Sequence, residues 1–176
     1  DRLIISGDKK LKGSISIHGS KNAALPILVA SLLSNQTLTL GNIPNVSDIN
    51  NMLKLLEGYG VKIIKNKNSL IINSKNLKNI SADYDIVRKM RASVLILGPL
   101  LSRFGYCKIS LPGGCAIGTR PIDIHLKGLK KLGAKFEIEN GFVIGQVSKN
   151  LIENKIKLPS PSVGATENIL MAAVMA

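Results

Sequence analysis

Apolar residues recur at helical spacing in two stretches that match one another. Ile49, Met52, Leu53 and Leu56 mark one amphipathic helix, and Ile122, Leu126 and Leu129 mark a second. Residues 53–62 align without a gap on residues 126–135, with Leu53 falling on Leu126. In both copies the apolar periodicity ends at a glycine, Gly60 or Gly133, placed for a left-handed helix cap. Short β-type runs follow each time. Residues 61–64 and 69–72 are separated by Asn66-Lys67-Asn68, while 134–138 and 142–147 are separated by Glu139-Asn140-Gly141, so each pair predicts a hairpin.

A second matching pair lies upstream of each hairpin. Apolar helix 22–34 with strand 37–40 corresponds to apolar helix 90–102 with strand 107–111, and Leu32-Leu33-Ser34 repeats as Leu100-Leu101-Ser102. With a strand over 13–18, the unit reads β-α-β-α-β-β, an α/β (α+β) arrangement built by internal repetition. A third copy opens with strand 156–158 and the helix that begins Ser162-Val163-Gly164. The apolar run that follows stops uncapped at Ala176, which predicts a chain that continues as part of a longer protein.

Composition adds a charge. The 176 residues carry 24 Lys+Arg against 11 Asp+Glu, a formal net charge of +13, and 45% are hydrophobic. That is enough apolar material for a core, and the basic excess favours anionic partners: nucleic acid, an acidic surface or phosphorylated small molecules. With three Phe, three Tyr and no Trp, stacking platforms for single strands are scarce, which argues against nucleic acid. Lys62, Lys65, Lys67, Lys75 and Lys78 interleave with polar residues as a solvated face would. Neither apolar run, 23–33 or 92–101, reaches the roughly 20 residues of a membrane span. Two cysteines without a secretory leader point to the cytoplasm, and two His with two scattered Cys imply no metal.

Chemistry concentrates in the stretch 111–123, Leu-Pro-Gly-Gly-Cys-Ala-Ile-Gly-Thr-Arg-Pro-Ile-Asp, between a strand and a helix. Its glycines let the backbone approach a ligand but do not form a dinucleotide fingerprint. Cys115, near Arg120, is in a setting that favours thiolate, although a loop thiol without a role fits the pattern too. Cys107 alternates within a strand and reads as a packed side chain. At the first helix, Lys21 and Asn22 admit two readings: an anion site completed by a cation, or an ordinary cap. Arg91 opens the equivalent second helix. Arg88, Lys89 and Arg103 read as flanking charges, and His18 and His125 as structural, with His125 near the polar side of its helix.

In this order, Gly19-Ser20-Lys21-Asn22-Ala23-Ala24-Leu25-Pro26, Met90-Arg91-Ala92-Ser93, Leu111-Pro112-Gly113-Gly114-Cys115, Gly118-Thr119-Arg120-Pro121-Ile122-Asp123 and Pro161-Ser162-Val163-Gly164-Ala165-Thr166 resemble the enolpyruvyl transferase family. The resemblance runs through the whole chain, and family members are more than twice as long. It implies an inside-out α/β barrel fold: two domains of three β-α-β-α-β-β units each, with the active site between them. Residues 1–20 would then pack in a second, largely absent C-terminal domain, and 21–176 would form an incomplete first domain.

The branch most resembled acts in peptidoglycan synthesis. There the resemblance implies transfer of the enolpyruvyl group of phosphoenolpyruvate to the 3'-hydroxyl of UDP-N-acetylglucosamine, with phosphate released and no cofactor or metal. Cys115 matches the family's proton donor and fosfomycin target. Lys21, Asn22 and Arg120 match phosphoenolpyruvate-binding positions. Asn22, Arg91, Arg120, Pro121, Ile122, Asp123, Ile124, Pro161, Ser162 and Val163 match the UDP-sugar site. Ser160 departs from relatives that carry Lys there. The family's base, an Asp, and a further Arg fall beyond this chain, so the chain alone is expected to be inactive. The rivals are a 3-phosphoshikimate-type transferase, against which the Pro-Gly-Gly-Cys loop argues, and a basic nucleic-acid-binding module, supported by net charge alone.

Overall fold

The computed structural model describes residues 2–7, 10–67, 69–77, 90–111 and 122–176, the side chain of Arg91 excepted. Ser20 caps the first helix, its hydroxyl accepting from the Ala23 N–H, and α1 (Lys21–Ala30) continues into a 3-10 turn, Ser31–Leu33. There follow β1 (Thr37–Gly41), α2 (Ser47–Gly58), β2 (Lys62–Lys65) and β3 (Ser69–Asn73). The second run repeats the order: a 3-10 segment Arg91–Ile96, α3 (Leu97–Phe104), β4 (Tyr106–Ser110), α4 (Asp123–Lys131), β5 (Lys135–Glu139) and β6 (Phe142–Gln146). The last helix is α5 (Val163–Ala173).

Each run folds one antiparallel three-stranded sheet with the same topology, β1-β3-β2 and β4-β6-β5. The last strand of each hairpin is central, so its inward side chains are covered from both sides: Ile72 lies opposite Leu38 and Ile63, and Val143 opposite Ile109 and Ile138. Gly145 pairs with both Cys107 and Phe136. A Cβ there would stand 2.7 Å from the Phe136 ring and 2.9 Å from the Cys107 sulfur, so the glycine makes room for both.

The matching glycines do the same work in both copies. Gly60 (φ 92) and Gly133 (φ 95) are left-handed, and the chain behind them closes the helix by the same two bonds. Val61 N–H donates to Leu56 O and Gly60 N–H to Glu57 O; Ala134 and Gly133 donate likewise to Leu129 and Lys130. This is the paired closure that satisfies the last helical carbonyls. The second hairpin forms as expected, but its turn is shorter: Glu139 ends β5, and Asn140 (φ 50) and Gly141 (φ 79) alone make a two-residue turn.

Two expected strands do not form. Residues 13–18 and 156–158 carry no strand structure, and the side chains of 11–18 are exposed. A strand exists only as part of a ladder, and among the described residues no partner edge reaches either segment. The visible unit is therefore α-β-α-β-β. The second buried helix also differs from expectation, opening with six residues of 3-10 geometry before α3, in which Pro99 supplies no N–H.

One continuous core joins the units. Leu28, Val29 and Leu32 from α1 and its extension, Met52 and Leu56 from α2, and Leu97, Leu100 and Leu101 from α3 are fully enclosed. Arg103, expected as a flanking charge, instead ties the units together. Its Nη1 lies 2.8, 3.2 and 2.9 Å from the carbonyls of Leu32, Ser34 and Ser74, and its guanidinium lies over the Phe104 ring. The C-terminal ends of the first and second buried helices thus meet, and the 3-10 segment Arg91–Ile96 packs against α1.

Candidate active site at the helix starts

The start of α1 is shaped by a close backbone approach. A Cβ on Gly19 would overlap the carbonyl oxygen of Asn42, so only glycine fits before the Ser20 cap. Gly19 N–H donates to Asn42 Oδ1 at 3.0 Å, and Asn42 itself is left-handed, with φ 54. Lys21 and Asn22 are then the first two helical residues, both exposed, where N–H groups lack intrahelical partners and the helix dipole is positive. The Lys21 ammonium lies 2.7 Å from Asp48 Oδ2, in the first turn of α2. A cation over unpaired N–H groups suits a phosphate or carboxylate.

The equivalent positions in the other runs follow the same plan. Arg91 is the first residue of the 3-10 segment, but the residue before it, Met90, makes no side-chain cap; its carbonyl accepts from Ser93 N–H instead. At α5, Ser162 repeats the role of Ser20, its hydroxyl accepting from Ala165 N–H at 3.3 Å. Val163 is the first helical residue and stands exposed, as does Pro161 before it.

Residues 122–124 are brought beside residues 161–163 by the packing of α4 on α5. His125 of α4 is buried, against the expectation that it faces the polar side. Its ring lies next to Gly164, where a Cβ would stand 3.4 Å from Cε1, and Gly128, one turn on, meets Ile169. The two helices therefore run parallel, with their starts adjacent. Asn168 locks the arrangement. Its Oδ1 accepts from Gly98 N–H at 2.7 Å, which fixes the amide orientation, so its Nδ2 donates to Val94 O at 2.9 Å and points at His125 Nδ1 at 3.1 Å. Asp123 divides its carboxylate: Oδ2 lies 3.2 Å from Lys127, while Oδ1 is buried with no partner among the described residues.

Cys115, Arg120 and Pro121 lie outside the described residues, as do Arg88 and Lys89. Cys107 is where the sequence places it, buried in β4, and burial pushes its thiol up to about 12. It is no nucleophile at neutral pH. A cleft of about 840 Å³ lies between residues 16–18, residues 42–45 with Ile49 and Asn50, and the β2–β3 turn, and among the described residues it is lined by none of the predicted site residues. Asp48, Asn42 and Asn168 are the residues that sequence reasoning missed. Ser47-Asp48 ahead of the apolar period does signal a helix start, but nothing in the sequence pairs it with Lys21.

Comparison with known proteins fits this arrangement. The profile of the EPSP synthase (3-phosphoshikimate 1-carboxyvinyltransferase) family matches residues 5–176, and the chain belongs to that family. Similar curated proteins are a UDP-N-acetylglucosamine 1-carboxyvinyltransferase of Pelagibacter ubique, 54% identical over 176 residues, and one of Aliarcobacter butzleri, 50% identical over 174. Each comparison covers 99% of this chain but 42% and 41% of the relative, in its N-terminal part. The chain thus spans about two fifths of the curated relatives it matches.

Among solved structures, the enolpyruvyl transferase NikO from Streptomyces tendae superposes with a TM-score of 0.75 at 16% identity, covering 96% of this chain and 39% of that one. An EPSP synthase from Acinetobacter baumannii gives 0.74 at 19% identity, covering 97% and 40%. The fold is that of the enolpyruvyl transferases. Among the described residues, no helix is long and apolar enough to cross a membrane.

Proposed function

We propose that this chain forms the N-terminal part of an enzyme that transfers the enolpyruvyl group of phosphoenolpyruvate to the 3'-hydroxyl of UDP-N-acetylglucosamine, releasing phosphate. The observation that carries the reading is the 54% identity to a UDP-N-acetylglucosamine 1-carboxyvinyltransferase across the chain. EPSP synthase structures share the fold at far lower identity, which favours the nucleotide sugar over shikimate 3-phosphate as acceptor. In this reading the enzyme works in the cytoplasm, in peptidoglycan synthesis.

The reaction needs a proton delivered to an alkene carbon, neutralisation of phosphate and carboxylate, and a base for the sugar hydroxyl. Cys115 supplies the proton. Lys21, Asn22 and Arg120 hold phosphoenolpyruvate. Asn22, Arg91, Arg120, residues 121–124 and residues 161–163 line the nucleotide sugar site; the adjacent starts of α4 and α5 support the last two groups acting together. The base and a further Arg belong to a second domain, against which residues 1–20 pack as strands. Each complete domain is an inside-out barrel of three repeat units, of which this chain holds two and the opening of a third.

The test is calorimetric and chemical. UDP-N-acetylglucosamine should raise the Tm of the chain and single-stranded DNA should not, while the chain alone releases no phosphate from phosphoenolpyruvate with the sugar nucleotide. Phosphate release driven by shikimate 3-phosphate, or stabilisation by DNA alone, would replace this reading. Fosfomycin should add its mass at Cys115 and not at Cys107.

A further inference from the structure

We propose that Asp48 is an internal placeholder for the substrate anion at Lys21, so that binding there is an exchange of one anion for another. The inference rests on reading the start of α1 as an anion site, and concerns how that site is regulated.

The pair joins two elements. Lys21 opens α1, Asp48 sits in the first turn of α2, and their 2.7 Å contact spans 27 positions of sequence. Among the described residues it is the one acidic group within ion-pair distance of Lys21. The side chains are 47% and 37% exposed, so water reaches the pair and can separate it. A structural ion pair would be enclosed or braced by further bonds; this one is half-exposed, and its lysine is the first residue of α1.

A phosphate approaching the N–H groups at the start of α1 meets a Lys21 ammonium whose charge is already partly neutralised and one of whose donors is engaged by Asp48. It also meets a like charge within a few ångströms. Both conflicts end when Asp48 turns away, and the turn is cheap because its carboxylate stays over the positive start of α2. Occupation by substrate and the Lys21–Asp48 pair therefore compete for the same ammonium. Apparent affinity is lowered by the fraction of time the pair is closed, about three- to tenfold for an exposed pair with the added repulsion. In exchange, the ammonium is held at the helix start rather than ranging through solvent.

Inorganic phosphate, titrated into the 15N-labelled chain and followed at the Lys21 and Asn22 amides, separates the possibilities. Asp48→Asn should tighten phosphate binding about three- to tenfold, and Asp48→Glu should return it to the original value. Lys21→Met should abolish binding in either background. In the unaltered chain, the Asp48 carboxylate carbon signal should move to that of an unpaired aspartate as phosphate saturates, a readout that needs no variant. If Lys21→Met abolishes binding but Asp48→Asn leaves it equal or weaker, or the carboxylate signal does not move, the placeholder is overturned while the anion site stands. Phosphate binding that ignores Lys21→Met, or no binding at all, overturns the anion site and the placeholder with it.

Discussion

Tyr59 ends α2 with its ring fully enclosed and its hydroxyl unbonded among the described residues. Burial, and secondarily the nearby Cys107 sulfur, push the phenol well above its ordinary value. A buried hydroxyl without a partner costs its hydration and returns nothing, while the ring packs as phenylalanine would. Tyr59→Phe should therefore hold or raise stability by about 1 kcal/mol, read as a higher urea midpoint at constant slope. A clear loss would mean that the hydroxyl has a partner. Cys107 was legible as a packed strand position, and Tyr59 only as a residue of the aligned repeat. Their meeting across the two units, like that of Lys21 with Asp48, joins residues that no local pattern relates.

At the scale of elements, contacts between helices depend on missing side chains. A Cβ on Gly98 would overlap the backbone carbonyl of Asn168, which cannot move without shifting α5. A Cβ on Gly128 would meet only the far end of Ile169, which can rotate away. Gly98→Ala should cost about 3 kcal/mol and Gly128→Ala about 1 or less, compared by chemical denaturation. Equal costs would show that α5 yields as easily as a side chain.

Glu167, on the outer side of α5 between exposed Val163 and Leu170, titrates above the ordinary carboxylate range because burial disfavours its charge. The folded state then holds its proton at pH values where the unfolded chain has released it, so stability falls as pH rises through that window. Glu167→Gln should remove this loss. The variant should be the more stable protein at pH 7, with the difference vanishing below pH about 4, where both states are protonated.

At the scale of the molecule, the repeat was the most legible feature, because hydrophobic period, capping glycines and turn residues are local and occur twice. Helices, hairpins and the buried Cys107 follow from it. The strands expected over 13–18 and 156–158 do not form within this chain for a reason of the same kind: alternation marks a segment that can pair, but a ladder needs a neighbour that sequence does not provide. The helix-start motifs were legible through resemblance, whereas the Asn168 lock and the Arg103 tie depend on packing between distant segments. Arg103→Met keeps the stem and removes the three carbonyl contacts, so it should cost about 2 kcal/mol in a urea melt. Loss of a single cooperative transition would indicate that the tie also couples the two units.

The same arginine sets a timetable for synthesis. The carbonyls of Leu32 and Ser34 wait for a partner 71 and 69 residues further along the chain. At about 5–20 residues per second, that is roughly 4–14 s during which the first unit is outside the ribosome without its tie. The apolar side of the Ser31–Leu33 extension, which α3 covers in the finished protein, is open for the same interval. A nascent chain stalled before Arg103 should be the species that chaperones hold, and one stalled well beyond it the first to resist a protease.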